Sequence, residues 1–296
     1  MQVPNVSVGG GVFSGRYACQ VESASSILSE CLQGGLRLID TSPFYGDSEI
    51  IIGRALQTLP DTLRADVLIS TKVGRYDWDK FDYSPERIRT SIAESRRRLG
   101  VTHLDVVFLH DVEFLASDMD VIYLALATLF DLRRQGVVKH VGISGYPLPI
   151  LLTIAQHQHG LSQPLDAVLS YCHLTLQNTR LLDYIPQFRK AQVSLIFNAS
   201  PLSMGLLRDS SPPDWHPAPP ELRQQVFHIA QELKAKFDMN IADLAIRYAA
   251  YLGSMHGIDT LVIGTATRSD AKAAVDLLKN MESCESFGLS KVECNQ

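Results

Sequence analysis

Short apolar runs, each followed by a helical pattern, recur eight times along this chain. The runs are Val6–Val8, Leu36–Asp40, Val67–Lys72, Leu104–His110, Val137–Ser144, Asp166–Tyr171, Val193–Asn198 and Asp259–Gly264. Stretches such as LDVVFL and DTLVIG are apolar on both alternations. A strand of that kind is covered on both faces, the habit of parallel sheets flanked by helices. The intervening segments carry the complementary signal. In Val21–Gln33, Ala24, Ile27, Leu28 and Cys31 fall on one side, and Gly34-Gly35 ends the run. Ser84-Pro85 is a capping hydroxyl followed by a first-turn proline. Ile88, Ile92, Ser95 and Leu99 then line one face, and Gly100 stops the helix.

Eight such units in 296 residues suit a closed (β/α)8 TIM barrel, an eight-stranded parallel sheet built from residues 1–296 as one domain. The rival is an open doubly wound sheet. It wants a glycine-rich phosphate loop opening a helix after the first strand, and Gly9-Gly10-Gly11 has neither the spacing nor the helix start. Pro60 and Asp61 should close the helix Ser48–Leu59, and Pro186 should bend or restart the helix Thr179–Arg189. Two further helices are expected near 221–236 and 241–252, and a last one over Ala271–Lys279. The proline-rich loop 210–220 is too long for a plain connector and reads as a functional loop over the barrel mouth. The tail 283–296 reads as peripheral.

Charge and cysteine usage narrow the partners. The formal net charge is -5 and no long Lys/Arg run exists, so nucleic acid is not expected. No apolar stretch approaches membrane-spanning length, and the first residues lack a leader pattern. Five scattered cysteines without a CxxC pair fit reduced thiols and a cytoplasmic setting. His157 and His159 have no convincing metal-ligand spacing, so no metal is expected. The expected partner is a small-molecule substrate, and the expected state a monomer or homodimer.

In a barrel, chemistry gathers at the carboxyl ends of the strands. Those ends are Asp40, Lys72, His110, Ser144, Tyr171, Asn198 and Gly264, with Tyr45 on the loop after Asp40. An ammonium near a phenol favours phenolate, and a carboxylate beside that ammonium keeps it charged. A histidine at the next strand end can position a substrate oxygen. Each residue also has a plain reading: a structural Asp40–Lys72 pair, a core histidine, a packing tyrosine. Their joint placement at successive strand ends favours proton transfer matched to hydride chemistry at a carbonyl.

The segments DTSPFYG and SEIIIGRAL, then STKVGRY, LDVVFLHDVEF, VGISGYPL, LSYCHLTLQN, NASPLSMGLL and PPDWHPAPPEL follow in that order. Together they resemble the aldo-keto reductase superfamily, most closely its branch of L-galactose and D-arabinose 1-dehydrogenases. The likeness runs from about Val6 to Val275. It implies a (β/α)8 barrel and a tetrad of Asp40, Tyr45, Lys72 and His110, with Tyr45 as proton donor or acceptor. It also implies a nicotinamide dinucleotide lying across the mouth. Ser144 would meet the carboxamide, with Ser170 or Leu169 where a glutamine usually stands. Ser200, Leu202, Ser203 and Gly205 would contact phosphate, and Gly264, Thr265, Thr267 and Arg268 the adenosine end. Ala199 or Ser200 replaces the usual stacking aromatic, and Lys272, Ala273 and Ala274 replace the usual adenine contacts. The cofactor is NAD or NADP, with a lean to NAD.

Loop aromatics Phe13, Phe44, Tyr76, Trp78 and Trp215 are expected above the mouth, where sugars pack well. Asp111 and Glu113 could accept sugar hydroxyl hydrogens. The expected reaction oxidises an aldose at C1 to the lactone. Alternatives are an NADPH-dependent aldehyde or ketone reductase of a specialised pathway, and a cofactor-binding regulatory subunit.

Overall fold

In the computed structural model, which describes residues 1–14, 19–212 and 216–282, the eight apolar runs form a closed barrel in sequence order. The strands are β1 Val6–Gly9, β2 Leu38–Asp40, β3 Leu68–Val73, β4 Leu104–Leu109, β5 Val138–Gly145, β6 Ala167–Tyr171, β7 Leu195–Ala199 and β8 Thr260–Gly264. All neighbours are parallel, and β8 returns to β1 with Val6 opposite Leu261 and Gly9 opposite Gly264. The expected TIM barrel is therefore present.

Ten helices are described around it: α1 Val21–Gln33, α2 Ser48–Gln57, α3 Asp61–Arg64, α4 Pro85–Leu99, α5 Met119–Arg134, α6 Leu148–Gly160, α7 Leu181–Lys190, α8 Pro220–Phe237, α9 Ile241–His256 and α10 Arg268–Glu282. The sequence signals at α4 work as read. Ser84 Oγ accepts the Arg87 N–H, and Gly100 ends the helix at φ 72°.

Three segments differ from expectation. Pro60 and Asp61 do not close a long helix; α2 stops at Gln57, and Pro60 stands at the N-cap of α3, where a missing N–H costs nothing. Helix α7 runs through Pro186, because burial of Leu181, Ile185 and Phe188 holds it across the one forfeited hydrogen bond. Helix α10 starts at Arg268, earlier than Ala271. Thr267 Oγ1 accepts the Asp270 N–H at 3.1 Å while Asp270 Oδ2 accepts the Thr267 N–H at 2.9 Å, a reciprocal cap.

Strand parity organises the interior. Leu38, Val106, Phe108, Leu169, Phe197 and Val262 point inward and form the lower plug of the barrel. Phe108 and Phe197 meet edge to face at 5.2 Å. Gly142 makes room for them: a Cβ there would lie 2.5 Å from the Ala167 carbonyl oxygen and 2.7 Å from the Phe108 ring. The opposite parity, including Val107, Ile143, Val168 and Ile196, packs under the helices. Continued upward, the inward parity delivers Asp40, Lys72, His110, Ser144, Tyr171, Ala199 and Gly264 to one rim.

Helix α2 is fastened tightly, and with it the loop that precedes it. Ser48 Oγ donates to the Gly10 carbonyl at 2.7 Å. Glu49, 1% exposed, accepts from Thr71 Oγ1 at 2.7 Å and from Arg98 at 2.9 Å, joining α2 to β3 and α4. Among the described residues, no helix is long and apolar enough to cross a membrane.

Candidate active site

The carboxyl ends of β2 and β3 hold a buried charge pair. Lys72 Nζ donates to Asp40 Oδ2 at 2.6 Å and to the Thr41 carbonyl at 3.0 Å. Ser70 Oγ donates to Asp40 Oδ1 at 2.7 Å. Lys72 is 1% exposed and Asp40 3%. Every polar atom of the pair except one ammonium proton is thus met within the strands, the condition under which buried charge is tolerated.

Tyr45 ends a short 3-10 turn, Pro43–Tyr45, that begins at Ser42. Ser42 Oγ accepts the Phe44 N–H at 3.1 Å, and Gly46 then turns the chain at φ 65°. The turn lays the Tyr45 ring beside Lys72, whose Nζ is 5.0 Å from the ring centroid. His110 follows β4, its ring perpendicular to that of Tyr45 with centroids 6.1 Å apart. Its Nδ1 is 3.2 Å from Ser42 Oγ. Tyr83 fixes the strand end by donating its hydroxyl to the His110 carbonyl at 2.5 Å. Asp111 then takes a left-handed backbone conformation at φ 50°, a strained choice for a side chain that the surroundings must hold.

Burial sets the protonation states. It pushes the Tyr45 phenol above its ordinary value; Lys72 pulls it down, but Asp40 and Asp111 reinforce the rise. The sequence argument that the ammonium lowers this phenol thus describes one contribution, outweighed by desolvation. Lys72 loses hydration too, yet Asp40 and Tyr45 raise its pKa overall. His110 is lowered to about 4, by burial first and then by Lys72 and Arg75, against the pull of Asp111. Around neutrality the site therefore presents a phenol, an ammonium and a neutral imidazole.

The His110 shift has a measurable consequence. Unfolded histidine titrates near 6.5 and folded His110 at about 4, so between those values the unfolded chain binds the proton better. Stability from this group is complete above about pH 6.5 and falls as pH drops toward 4, by about 3 kcal/mol. Thermal melts at stepped pH should show that loss, and His110→Gln should melt with a shallower acid slope than the parent. Equal slopes would refute it.

A cavity of about 1260 Å³ runs from this cluster across the mouth. Tyr45, Lys72, His110, Asp111, Phe44 and Trp78 form one end. Arg247 of α9 and Asp270, Ala273, Ala274 and Asn280 of α10 form the other. Between them stands Ser144, whose Oγ is buried and has no hydrogen-bond partner. Buried polar atoms are normally satisfied, so this hydroxyl is suited to a ligand group. Gly9, Gly10, Gly11 and Gly264 also line the cavity and put no side chain into it. The cavity's volume, its reach from the strand ends to α9 and α10, its open hydroxyl and its glycine lining fit an extended dinucleotide.

Ser200, Leu202, Gly205 and Gly264 also line the cavity. Other expected residues do not. Phe13 is not above the mouth; it follows the Gly10–Val12 turn and its ring is fully buried in the core. Ser170 has the outward parity of β6, its Oγ 3.0 Å from His173 Nδ1, while Leu169 and Tyr171 face the cavity. Ser203 is turned to Gln177, which donates to its Oγ at 2.6 Å. Thr265 is fully buried beyond Gly264, on the parity facing the helices. Thr267 caps α10, and Arg268 reaches Glu30 of α1 at 2.9 Å. Asn198 points outward too, donating to the Leu174 carbonyl. Glu113 is occupied by the Tyr146 N–H rather than the cavity. Trp215 and the tail 283–296 lie outside the described residues.

Arg75 was missed. Its guanidinium pairs with Asp111 at 2.5 Å and lies over the Phe44 ring, 4.1 Å from the centroid. The pair gives the end of the cavity beside Tyr45 and His110 a polar wall under an aromatic rim. A lone arginine in a loop carries no periodic signal, so nothing in the sequence singled it out.

Comparison with known proteins bears on family and fold. The pattern of the Aldo/keto reductase family matches residues 5–287. D-arabinose 1-dehydrogenase of Saccharomyces cerevisiae is 38% identical, the match covering 91% of this chain and 81% of that protein. L-galactose dehydrogenase of Arabidopsis thaliana is 34% identical, covering 92% and 83%. Among solved structures, the holo form of an aldo-keto reductase from Bacillus halodurans superposes with a TM-score of 0.70. That match covers 98% of this chain and 94% of the other at 20% identity, a likeness of fold.

Proposed function

The chain belongs to the Aldo/keto reductase family, and from that premise we propose that it oxidises an aldose at C1 to the lactone, with hydride passing to NAD. Membership makes it an NAD(P)-dependent oxidoreductase acting on a small molecule. The aldose, the direction and the preference for NAD are the proposal. The observation that carries it is the meeting of Tyr45, Lys72, Asp40 and His110 at one end of a cavity that reaches across the mouth to α9 and α10.

Ser144, Ser200, Leu202, Gly205 and Gly264 would hold the dinucleotide, which when bound supplies the hydride acceptor. The remaining work belongs to the chain. His110, neutral, donates to the oxygen on C1 and orients it. As the hydride leaves C1 with its electron pair, the hydroxyl proton passes to the Tyr45 oxygen. Lys72 stabilises the phenolate that accepts it, and Asp40 keeps Lys72 charged and in place. The carbon–oxygen double bond of the lactone forms from the electrons the proton leaves behind.

The substrate reading draws on the cavity wall. Asp111, 4% exposed, can accept hydrogen bonds from sugar hydroxyls while Arg75 holds it, and Phe44 and Trp78 offer ring faces. Two relatives act, by name, on D-arabinose and L-galactose. For the cofactor, a 2′-phosphate would want unpaired cations. Arg268 is paired with Glu30, and Asp243, Asp270 and Asp276 line that end beside Arg208 and Arg247.

The test is direct. Mixed with NAD and either L-galactose or D-arabinose, the enzyme should produce reduced nicotinamide, with a higher kcat/KM for NAD than for NADP. No turnover of any aldose, together with NADPH-dependent reduction of aromatic aldehydes, would replace this reading with a carbonyl reductase.

A further inference from the structure

The geometry points to Ser42 as the residue that selects the tautomer of His110, holding its proton on Nε2 where the substrate oxygen arrives. This rests on the reading of His110 as the group that meets that oxygen. Ser42 is fully buried, and it lies on the Tyr45 turn rather than on the strand that carries the imidazole. It is therefore a positioning residue, acting through His110.

The argument is an inventory of protons. The Ser42 hydroxyl has one proton to give and two lone pairs. One lone pair is used by the Phe44 N–H at 3.1 Å. The only other partner of this oxygen among the described residues is His110 Nδ1, at 3.2 Å. If Nδ1 carried the imidazole proton, Ser42 would accept twice and its own proton would have no acceptor inside a closed site. If Nδ1 is bare, Ser42 donates to it, and both the hydroxyl proton and the Nδ1 lone pair are met. An unmet buried donor is costly enough to decide between two tautomers of similar intrinsic energy.

The far side of the ring favours the same choice. His110 Nε2 is 3.6 Å from Asp111 Oδ2. A bare Nε2 would set its lone pair against that carboxylate; a protonated one is attracted to it. At 3.6 Å the contact is longer than a hydrogen bond, so the proton remains free for a substrate oxygen. The consequence is a link between the two loops. The turn that places the Tyr45 phenol also orders the imidazole, so proton acceptor and orienting donor are prepared by one element.

Long-range proton–nitrogen NMR of enzyme labelled with 15N-histidine reads the tautomer directly. The His110 signals are identified by their loss in His110→Asn. At pH 7 the wild-type ring should show a protonated Nε2 and a bare Nδ1. In Ser42→Ala the two nitrogen shifts should move toward each other as both tautomers become populated. The same variant should lose about 10–100-fold in kcat/KM, with NAD binding unchanged. A wild-type ring protonated on Nδ1 overturns the inference, and needs no variant to fold. So does a Ser42→Ala ring that stays wholly in the Nε2–H form, which would make Asp111 the determinant. The spectrum is independent of turnover, so failure of the aldose reading would leave this result standing.

Discussion

Tyr45→Phe should lower kcat by about 10³-fold, some 4 kcal/mol of barrier, while the dissociation constant for NAD stays at its wild-type value. The phenyl ring keeps the packing against His110 and Phe44 that the tyrosine makes at centroid distances of 6.1 and 6.0 Å. What disappears is the oxygen proposed to take the proton. The parent enzyme should oxidise its substrate faster as pH rises, because burial holds the phenol above its ordinary value and the acceptor is its ionised form. In the variant that alkaline rise should vanish with the rate. A steady-state pH profile measures both. Residual turnover that keeps the alkaline limb would assign the proton to another group.

Lys72→Met should fail on two counts. Methionine fills much of the lysine's volume but leaves the Asp40 carboxylate buried with Ser70 as its remaining side-chain donor. Stranding one member of a buried pair costs about 3–5 kcal/mol. Chemical denaturation should show that loss as a lower midpoint. Turnover should fall with it, since the phenolate at Tyr45 would form without a counter-charge. The double variant Asp40→Leu/Lys72→Met separates the two effects. Removing both charges should restore most of the stability and none of the activity. A double variant as unstable as the single one would show that packing, not stranded charge, set the cost.

Much of this architecture can be read from the residues, for identifiable reasons. Capping is local chemistry, so Ser84, Pro85, Gly34 and Gly100 mark their helix ends without tertiary help. Strand ends are legible because the apolar runs are short and bounded, which brought Asp40, Lys72 and His110 to attention. Parity was harder. Both faces of a barrel strand are apolar, so composition does not say whether Leu169 or Ser170 of β6 looks inward. Thr265, expected toward the adenosine end on the resemblance alone, is buried on the helix-facing parity beyond Gly264. Parity could have been resolved from β2 and β4, where a polar residue at the rim, Asp40 or His110, stands two residues beyond apolar Leu38 or Phe108 and so defines the inward set. Phe13 and Arg75 lie beyond such reasoning. One is placed by a single 3-10 turn, the other by stacking on a ring from a distant loop.

The charge pair between Asp40 and Lys72 is fastened by Ser70 and the Thr41 carbonyl, groups of β2 and β3 and their immediate ends. Arg75, Trp78 and Asp111, which line the cavity, sit beyond the strands, on the excursions that follow β3 and β4. Engine and antechamber are thus detachable. Segments grafted from a relative onto those excursions should retarget the enzyme to another substrate while the strands beneath keep the Asp40–Lys72 pair intact.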